Sequence, residues 1–106
     1  MTSKSSITIE SIKVPAIHPG IILGEELAEI GMSVAAVSRA LDVPQSRIAE
    51  IVAGKRAITA DTALRLSVYF GTSARFWLNL QAAYDLAVTQ ESEGDHIARV
   101  VRPHAA

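Results

Sequence analysis

Apolar residues recur at helical spacing in five segments of the chain, and short polar or glycine-containing breaks separate these segments. The most informative pattern lies between residues 33 and 54. Its apolar positions are Val37, Leu41, Val43, Ile48 and Ile51. This spacing predicts two short helices that meet at an angle and share one buried corner, the arrangement called a helix-turn-helix. We expect the motif to span about residues 34–53.

The residues between these two helices have the chemistry that such a turn requires. Ser33 is a suitable N-cap for the first helix, because its hydroxyl can accept from a free backbone N–H. Asp42 stands where the backbone needs a positive φ, which aspartate tolerates better than most residues. Pro44 comes at the start of the second helix, where its missing N–H costs nothing.

The second helix of the motif directs four polar residues outward. These are Gln45, Ser46, Arg47 and Glu50. Glutamine can pair with adenine, glutamate can accept from the amino group of cytosine, and arginine can contact guanine or a phosphate. An ordinary amphipathic helix exposes the same residue types to water. Periodicity alone therefore leaves both DNA contact and simple solvation open.

The basic residues concentrate around this motif. The whole chain has a net charge of −1, but residues 33–71 carry five basic and three acidic side chains. Lys55 and Arg56 follow the second helix directly, where the phosphates of a duplex held by that helix would lie. An exposed basic pair is also common on surfaces that bind nothing, so the charge supports the DNA interpretation without deciding it.

The other three helices are predicted from caps and apolar spacing. His18-Pro19-Gly20 begins the first helix, which buries Leu23, Leu27 and Ile30 and ends at Gly31. For His18 we predict a capping or surface role rather than metal binding. Thr59 begins the fourth helix, which Gly71 ends. Its predicted buried side consists of Ala63, Leu64, Leu66, Val68 and Tyr69.

The fifth helix, capped by Thr72-Ser73 and expected to end near Thr89, has one broad apolar face. This face contains Phe76, Trp77, Leu80, Ala83, Tyr84 and Ala87. Such a face can fill the core or form a subunit interface, where Trp and Tyr are favoured. We expect both uses, with the dimer interface formed by Phe76, Trp77, Leu80 and Tyr84.

The two ends of the chain are more polar. Residues 1–16 form either a disordered arm or a short edge strand. Residues 91–106 form a tail, whose segment from Ile97 to Arg102 either pairs as a strand or is a frayed terminus.

Composition limits the classes of function. The 106 residues suffice for one domain, and the absence of cysteine excludes disulfides and thiolate metal sites. No stretch resembles a signal peptide or a membrane span, so we expect a cytoplasmic protein. No glycine-rich phosphate loop, zinc-ligand spacing or convergent pair of catalytic groups is present, so we expect neither an enzyme nor a cofactor.

Two stretches, IHPGIILGEEL and LDVPQSRIAEIVAGKRAITADTALRLSVYFGTSARFWLNLQAAYDL, resemble the HigA/VapI-type antitoxins of the Cro/CI-like (XRE) helix-turn-helix superfamily. The resemblance implies an all-α, five-helix, lambda-repressor-like domain over residues 17–90. It also implies a homodimer that binds a palindromic operator and neutralises a HigB/RelE-like ribonuclease toxin. Gln45, Ser46 and Glu50 match positions that read bases, and Arg47, Lys55 and Arg56 match positions near the DNA backbone. We expect Ser33 to contact the backbone as well.

Two alternatives remain open at this point. The chain could be a solitary XRE-family regulator without a toxin, or a toxin-binding module with little DNA binding. The second is motivated by the near-neutral charge and by Val34-Ala35-Ala36, which place apolar side chains where phosphate contacts could form. Asp42 and Ile21 also depart from the glycine and glutamate that the family usually has there.

Overall fold

A computed structural model describes residues 16–105, and these residues contain five α-helices and no strand. The helices are α1 (Pro19–Glu29), α2 (Val34–Leu41), α3 (Gln45–Val52), α4 (Ala60–Phe70) and α5 (Ala74–Val100). The predicted all-α, five-helix fold is confirmed. The predicted N-terminal arm lies outside the described residues except for Ala16, which is exposed.

The caps of the motif follow the predicted chemistry. The Ser33 hydroxyl oxygen accepts from the backbone N–H of Ala36 at 3.0 Å and begins α2. Asp42 ends α2 with φ 58° and ψ 51°, the left-handed conformation. Pro44 is the N-cap of α3, with φ −60°. The angle between α2 and α3 is therefore fixed within the few residues that join them.

One hydrophobic core joins all five helices. Its fully or nearly fully buried members are Leu23, Leu27, Val37, Leu41, Ile48, Ile51, Ile58, Ala63, Leu66 and Trp77. Ile48 and Ile51 supply the inner side of α3, so the opposite side of this helix faces away from the core. The core thus anchors α3 and leaves its polar face outermost.

The start of α1 packs closely against the end of α3. The Nδ1 atom of buried His18 accepts from the Gly20 backbone N–H at 2.9 Å, as predicted for a capping histidine. A Cβ atom at Gly20 would overlap the carbonyl oxygen of Ile51. The His18 ring also meets Tyr84 of α5 edge-on, with 4.8 Å between centroids. His18 and Gly20 therefore connect α1, α3 and α5.

A buried glutamine ties α5 to the loop that follows α3. The Gln81 side-chain oxygen accepts from the Ile58 backbone N–H at 2.8 Å, and its amide nitrogen donates to Asp85 at 2.9 Å. Both ends of a buried polar group are thus satisfied, as its burial requires. The loop carrying Lys55 and Arg56 is held to α5 in this way.

The predicted buried side of α4 is wrong at three positions. Leu64, Val68 and Tyr69 are 59%, 85% and 43% exposed. Ala63 and Leu66 are buried, and successive residues turn by roughly 100° around a helix. Leu64 and Val68 therefore lie on the side of α4 opposite the core. The five predicted positions covered more of the helix than one packed face can bury.

The fifth helix is longer than predicted. It does not end near Thr89 but runs for 27 residues to Val100, so the predicted border of the tail at residue 90 falls inside the helix. For residues 97–102 the sequence left a paired strand and a frayed terminus open. The structure shows no strand there, since residues 97–100 belong to the helix. Gly94 costs only about 1 kcal/mol within a helix, and the first proline that cannot continue the helix is Pro103. Residues 101–105 have no regular structure.

Replacement of Gly20 by alanine should destabilise the protein strongly, because the new methyl group would force α1 away from the Ile51 carbonyl. We expect a loss of about 3 kcal/mol in the free energy of unfolding, measured by denaturant titration. Gly24→Ala is the matched control in the same helix, since its Cβ would be in ordinary contact with Val52 at 3.4 Å. Equal effects of the two substitutions would contradict the proposed close packing.

Candidate nucleic-acid interface

The outward side of α3 presents the predicted base-reading residues. Gln45 and Ser46 are exposed in the first turn of the helix, and Arg47 and Glu50 are partly buried. All four lie opposite the fully buried Ile48 and Ile51 or beside them. Gln45, Ser46 and Ala49 on this side of α3 are exposed to solvent. A helix of this diameter with one free polar side fits the width of a major groove.

An ion pair fixes Glu50 at one edge of this face. Arg56 Nε donates to Glu50 Oε1 at 2.8 Å, and Nη2 lies 2.7 Å from the same oxygen. The backbone N–H of Lys55 donates to the Glu50 carbonyl at 2.8 Å, so the loop turns back onto α3. The predicted base-reading glutamate and the predicted phosphate-binding arginine are thus partners in the free protein.

A second network joins the other edge of α3 to α4. Asp61 Oδ2 accepts from Arg47 Nη1 at 2.7 Å and from Arg65 Nε at 2.9 Å. Arg65 Nη1 donates to the carbonyls of Leu41 at 2.8 Å and Asp42 at 3.2 Å. Arg65 therefore satisfies two carbonyls at the end of α2, where the helix itself offers no donor.

The arginines around Asp61 also govern its ionisation. The hydrogen bonds from Arg65 and then Arg47 hold the pKa of the Asp61 carboxyl below its usual value. A lowered folded-state pKa means that the ionised carboxylate stabilises the fold above the unfolded pKa, and that this contribution disappears as the pH falls through the folded pKa. Asp61 is therefore charged at neutral pH.

Arg47, Arg56 and Arg65 line one shallow cleft between α3 and α4. Asp61 lies in the same cleft, which has a volume of about 270 Å³. Three guanidinium groups against one lining carboxylate leave the cleft positive, and arginine binds phosphate well because its planar fork matches the oxygens. Lys55 is exposed beside the cleft. The structure therefore places Arg47 and Arg56 on one cleft, and exposed Lys55 precedes Arg56 in the chain.

The structure separates the four residues predicted for the dimer interface. Phe76 is 42% exposed, and Leu80 and Tyr84 are half-buried. Trp77 is only 2% exposed, and its indole N–H donates to the Thr72 hydroxyl at 2.9 Å. Trp77 therefore belongs to the core of the single chain and has almost no surface left for a second copy.

Sequence reasoning did not identify the network around Asp61. The spacing of Asp61 and Arg65, four residues apart on one helix, is a signal for their pair. No comparable signal indicates that Arg47 on a different helix reaches the same carboxylate.

Other site types find no support in the described part of the chain. No group of three or more His, Cys, Asp or Glu residues within residues 16–105 is arranged to hold a metal ion. Among the same residues, no helix combines the length and apolar character needed to cross a bilayer.

A comparison with protein families places this interface in context. The family described as Helix-turn-helix matches residues 23–77, which include α2, α3 and the arginine cleft. The chain belongs to the XRE-type helix-turn-helix family. Virulence-associated protein I of Dichelobacter nodosus is a relative that is 53% identical over 89 residues, covering 83% of this chain and 82% of that protein. Members of this family are non-enzymatic regulators, which agrees with the sequence-based expectation.

Solved structures narrow the comparison within the helix-turn-helix family. An addiction module antidote protein of the HigA family from Coxiella burnetii has a TM-score of 0.84 and 46% identity, covering 86% of this chain and all of that one. The Pseudomonas aeruginosa antitoxin HigA, solved with the higBA promoter, has a TM-score of 0.83 and 44% identity with the same coverage. The predicted resemblance to HigA-type antitoxins is therefore confirmed.

Proposed function

We propose that this protein is a DNA-binding antitoxin that represses its own operon as a dimer and neutralises a HigB/RelE-like ribonuclease toxin. The observation that carries the DNA part is the exposed polar side of α3, flanked by Lys55 and the arginine cleft. The similar Pseudomonas aeruginosa antitoxin was solved with promoter DNA, which supports the same partner here. Since that partner is operator DNA, the proposal places the protein in the cytoplasm.

In the proposed complex, α3 enters the major groove and each residue has one of two tasks. Gln45, Ser46 and Glu50 face the base edges and select the sequence. Arg47, Lys55 and Arg56 contact phosphates and supply affinity that falls with salt. In this proposal Ser33, at the start of α2, also contacts the DNA backbone, although its hydroxyl oxygen already caps the helix. A hydroxyl keeps its own hydrogen for donation to a phosphate while it accepts from Ala36.

A dimer would place two copies of α3 in successive major grooves about 34 Å apart, which requires a palindromic site. The exposed side of α5 offers a surface for it. Starting at Phe76, the positions of Leu80, Ala83, Ala87 and Ile97 fall on one side of the helix at the 3.6-residue period. Phe76, Ala83 and Ile97 are exposed on that side, which supports this part of α5 as the interface instead of Trp77.

Operator binding can be tested with fluorescently labelled DNA from immediately upstream of the gene, compared with a shuffled duplex of equal length and composition. Lys55→Ala should weaken binding to both duplexes and reduce the slope of log affinity against log salt by about one. Gln45→Ala should instead reduce the preference for the operator, by about 1–3 kcal/mol for a lost base pairing.

Arg99→Ala is the control for charge, because Arg99 lies near the far end of α5, whereas Lys55 lies beside α3. It should leave both the affinity and the salt slope close to those of the unmodified protein. Binding that shows no preference between the two duplexes would reject sequence-specific repression.

The dimer can be tested by introducing a charge on the exposed side of α5. Ala83→Glu should convert the dimer to a monomer, because a carboxylate buried between two copies would be unpaired. Ala82→Glu is the matched control, since Ala82 is also exposed but is rotated by about 100° around the helix. Light scattering coupled to size-exclusion chromatography gives the mass. A dimer that survives Ala83→Glu would place the interface elsewhere.

The second partner in the proposal is the toxin. The outer side of α1 exposes Glu25, Glu26 and Glu29, and this helix contains no basic residue, which suits a basic partner protein. The alternative is a solitary regulator. Co-expression with any small basic protein encoded beside the gene should yield a co-purifying complex whose ribonuclease activity is suppressed. Absence of such a neighbour, or failure to co-purify, would favour the solitary regulator.

A further inference from the structure

Asp61 accepts hydrogen bonds from two arginines, and these differ in the number of other acceptors that they contact. Arg65 donates to Asp61 and also to the carbonyls of Leu41 and Asp42, so three acceptors define its position. The Arg47 guanidinium has Asp61 as its hydrogen-bonding partner among residues 16–105. The Arg47 side chain is 29% exposed and the Asp61 side chain is 55% exposed, so a ligand can reach both side chains of this ion pair.

We propose that Asp61 limits the strength of operator binding by acting as an internal counter-ion for Arg47. To bind Arg47, a phosphate of the DNA backbone must first displace Asp61 from it. This inference rests on the proposed function, since it assumes that α3 binds duplex DNA. It assigns a role in affinity to Asp61, which is not one of the predicted contact residues.

Exchange of Arg47 from Asp61 to a phosphate is physically reasonable because an ion pair exposed to water is weak, whereas a duplex carries a dense row of negative charges. Arg65 keeps Asp61 in place after the exchange, because its own bonds to α2 do not depend on Arg47. The Asp61 carboxylate consequently remains beside the bound phosphate and repels it. Asp61 carries this negative charge at neutral pH, because an ordinary aspartate is ionised there and the two arginines lower its pKa further.

Asp61 is a cleaner test of such a counter-ion than Glu50. Glu50 forms a similar pair with Arg56, but it also lies on the predicted base-reading face. A substitution of Glu50 would change two properties together. Asp61 lies in the first turn of α4 and is not one of the residues proposed to read bases, so its effect should be the same on every sequence.

The test is Asp61→Asn, which removes the charge and keeps an oxygen that can accept from Arg65. We expect the dissociation constants for the operator and for the shuffled duplex both to fall by about twofold to fivefold. The salt slope should become steeper, since the surface that meets the phosphates gains one net positive charge. Asp95→Asn is the matched control, with the same change of charge on the distant half of α5.

A double substitution separates this role from simple support of the fold. Most of the gain from Asp61→Asn should disappear in an Arg47→Ala background, because the released arginine is then missing. Circular dichroism verifies that each variant is folded at the temperature of the binding assay. Asp61→Ser provides a second neutral replacement if the asparagine variant is unfolded.

The outcomes distinguish the two proposals. An unmodified protein that fails to prefer its operator overturns the proposed function and this inference with it. An unmodified protein that prefers its operator, with Asp61→Asn binding no more tightly than Asp95→Asn, overturns this inference alone. A gain that persists fully in the Arg47→Ala background also overturns it, because the effect then does not pass through Arg47.

Discussion

The close approach of α1 to the carboxyl end of α3 is the constraint on which the rest of the structure depends. Gly20 allows this approach because it has no side-chain atom to meet the Ile51 carbonyl. His18 caps the first helix beside it and packs on Tyr84, so His18 also positions α5. With its inner side held in this way, α3 can offer its polar side to a partner without losing its place in the core.

Local chemistry made much of the fold predictable. Ser33, Asp42 and Thr59 each act within three residues of their own position, so their caps and the turn could be inferred from the printed sequence. The end of α5 was less predictable, because a helix through Gly94 depends on the sum of many weak preferences. The exposed face of α4 could not be inferred either, since Leu64 and Val68 are apolar and only the packing of neighbouring helices decides which side is covered.

The candidate site shows the same limit. The outward placement of the polar residues on α3 and in the following loop could be predicted from their spacing alone. Their pairing in the free protein could not, because Arg47 and Asp61 are fourteen residues apart and meet only when α3 and α4 are packed. The positive charge that favours DNA is thus partly balanced by carboxylates within the protein itself. A nearly neutral chain can present a basic surface whose strength is moderated by its own acids.

The side-chain amide of Gln81 joins α5 to the loop that follows α3. One end of this side chain holds the backbone at Ile58, and the other holds Asp85 on the helix that carries the proposed subunit contact. A protein that twists α5 must either break the bond from Ile58 to Gln81 or move the loop that carries Lys55 and Arg56. Breaking this bond would leave a buried N–H without an acceptor. The position of the loop after α3 is therefore tied to the position of α5.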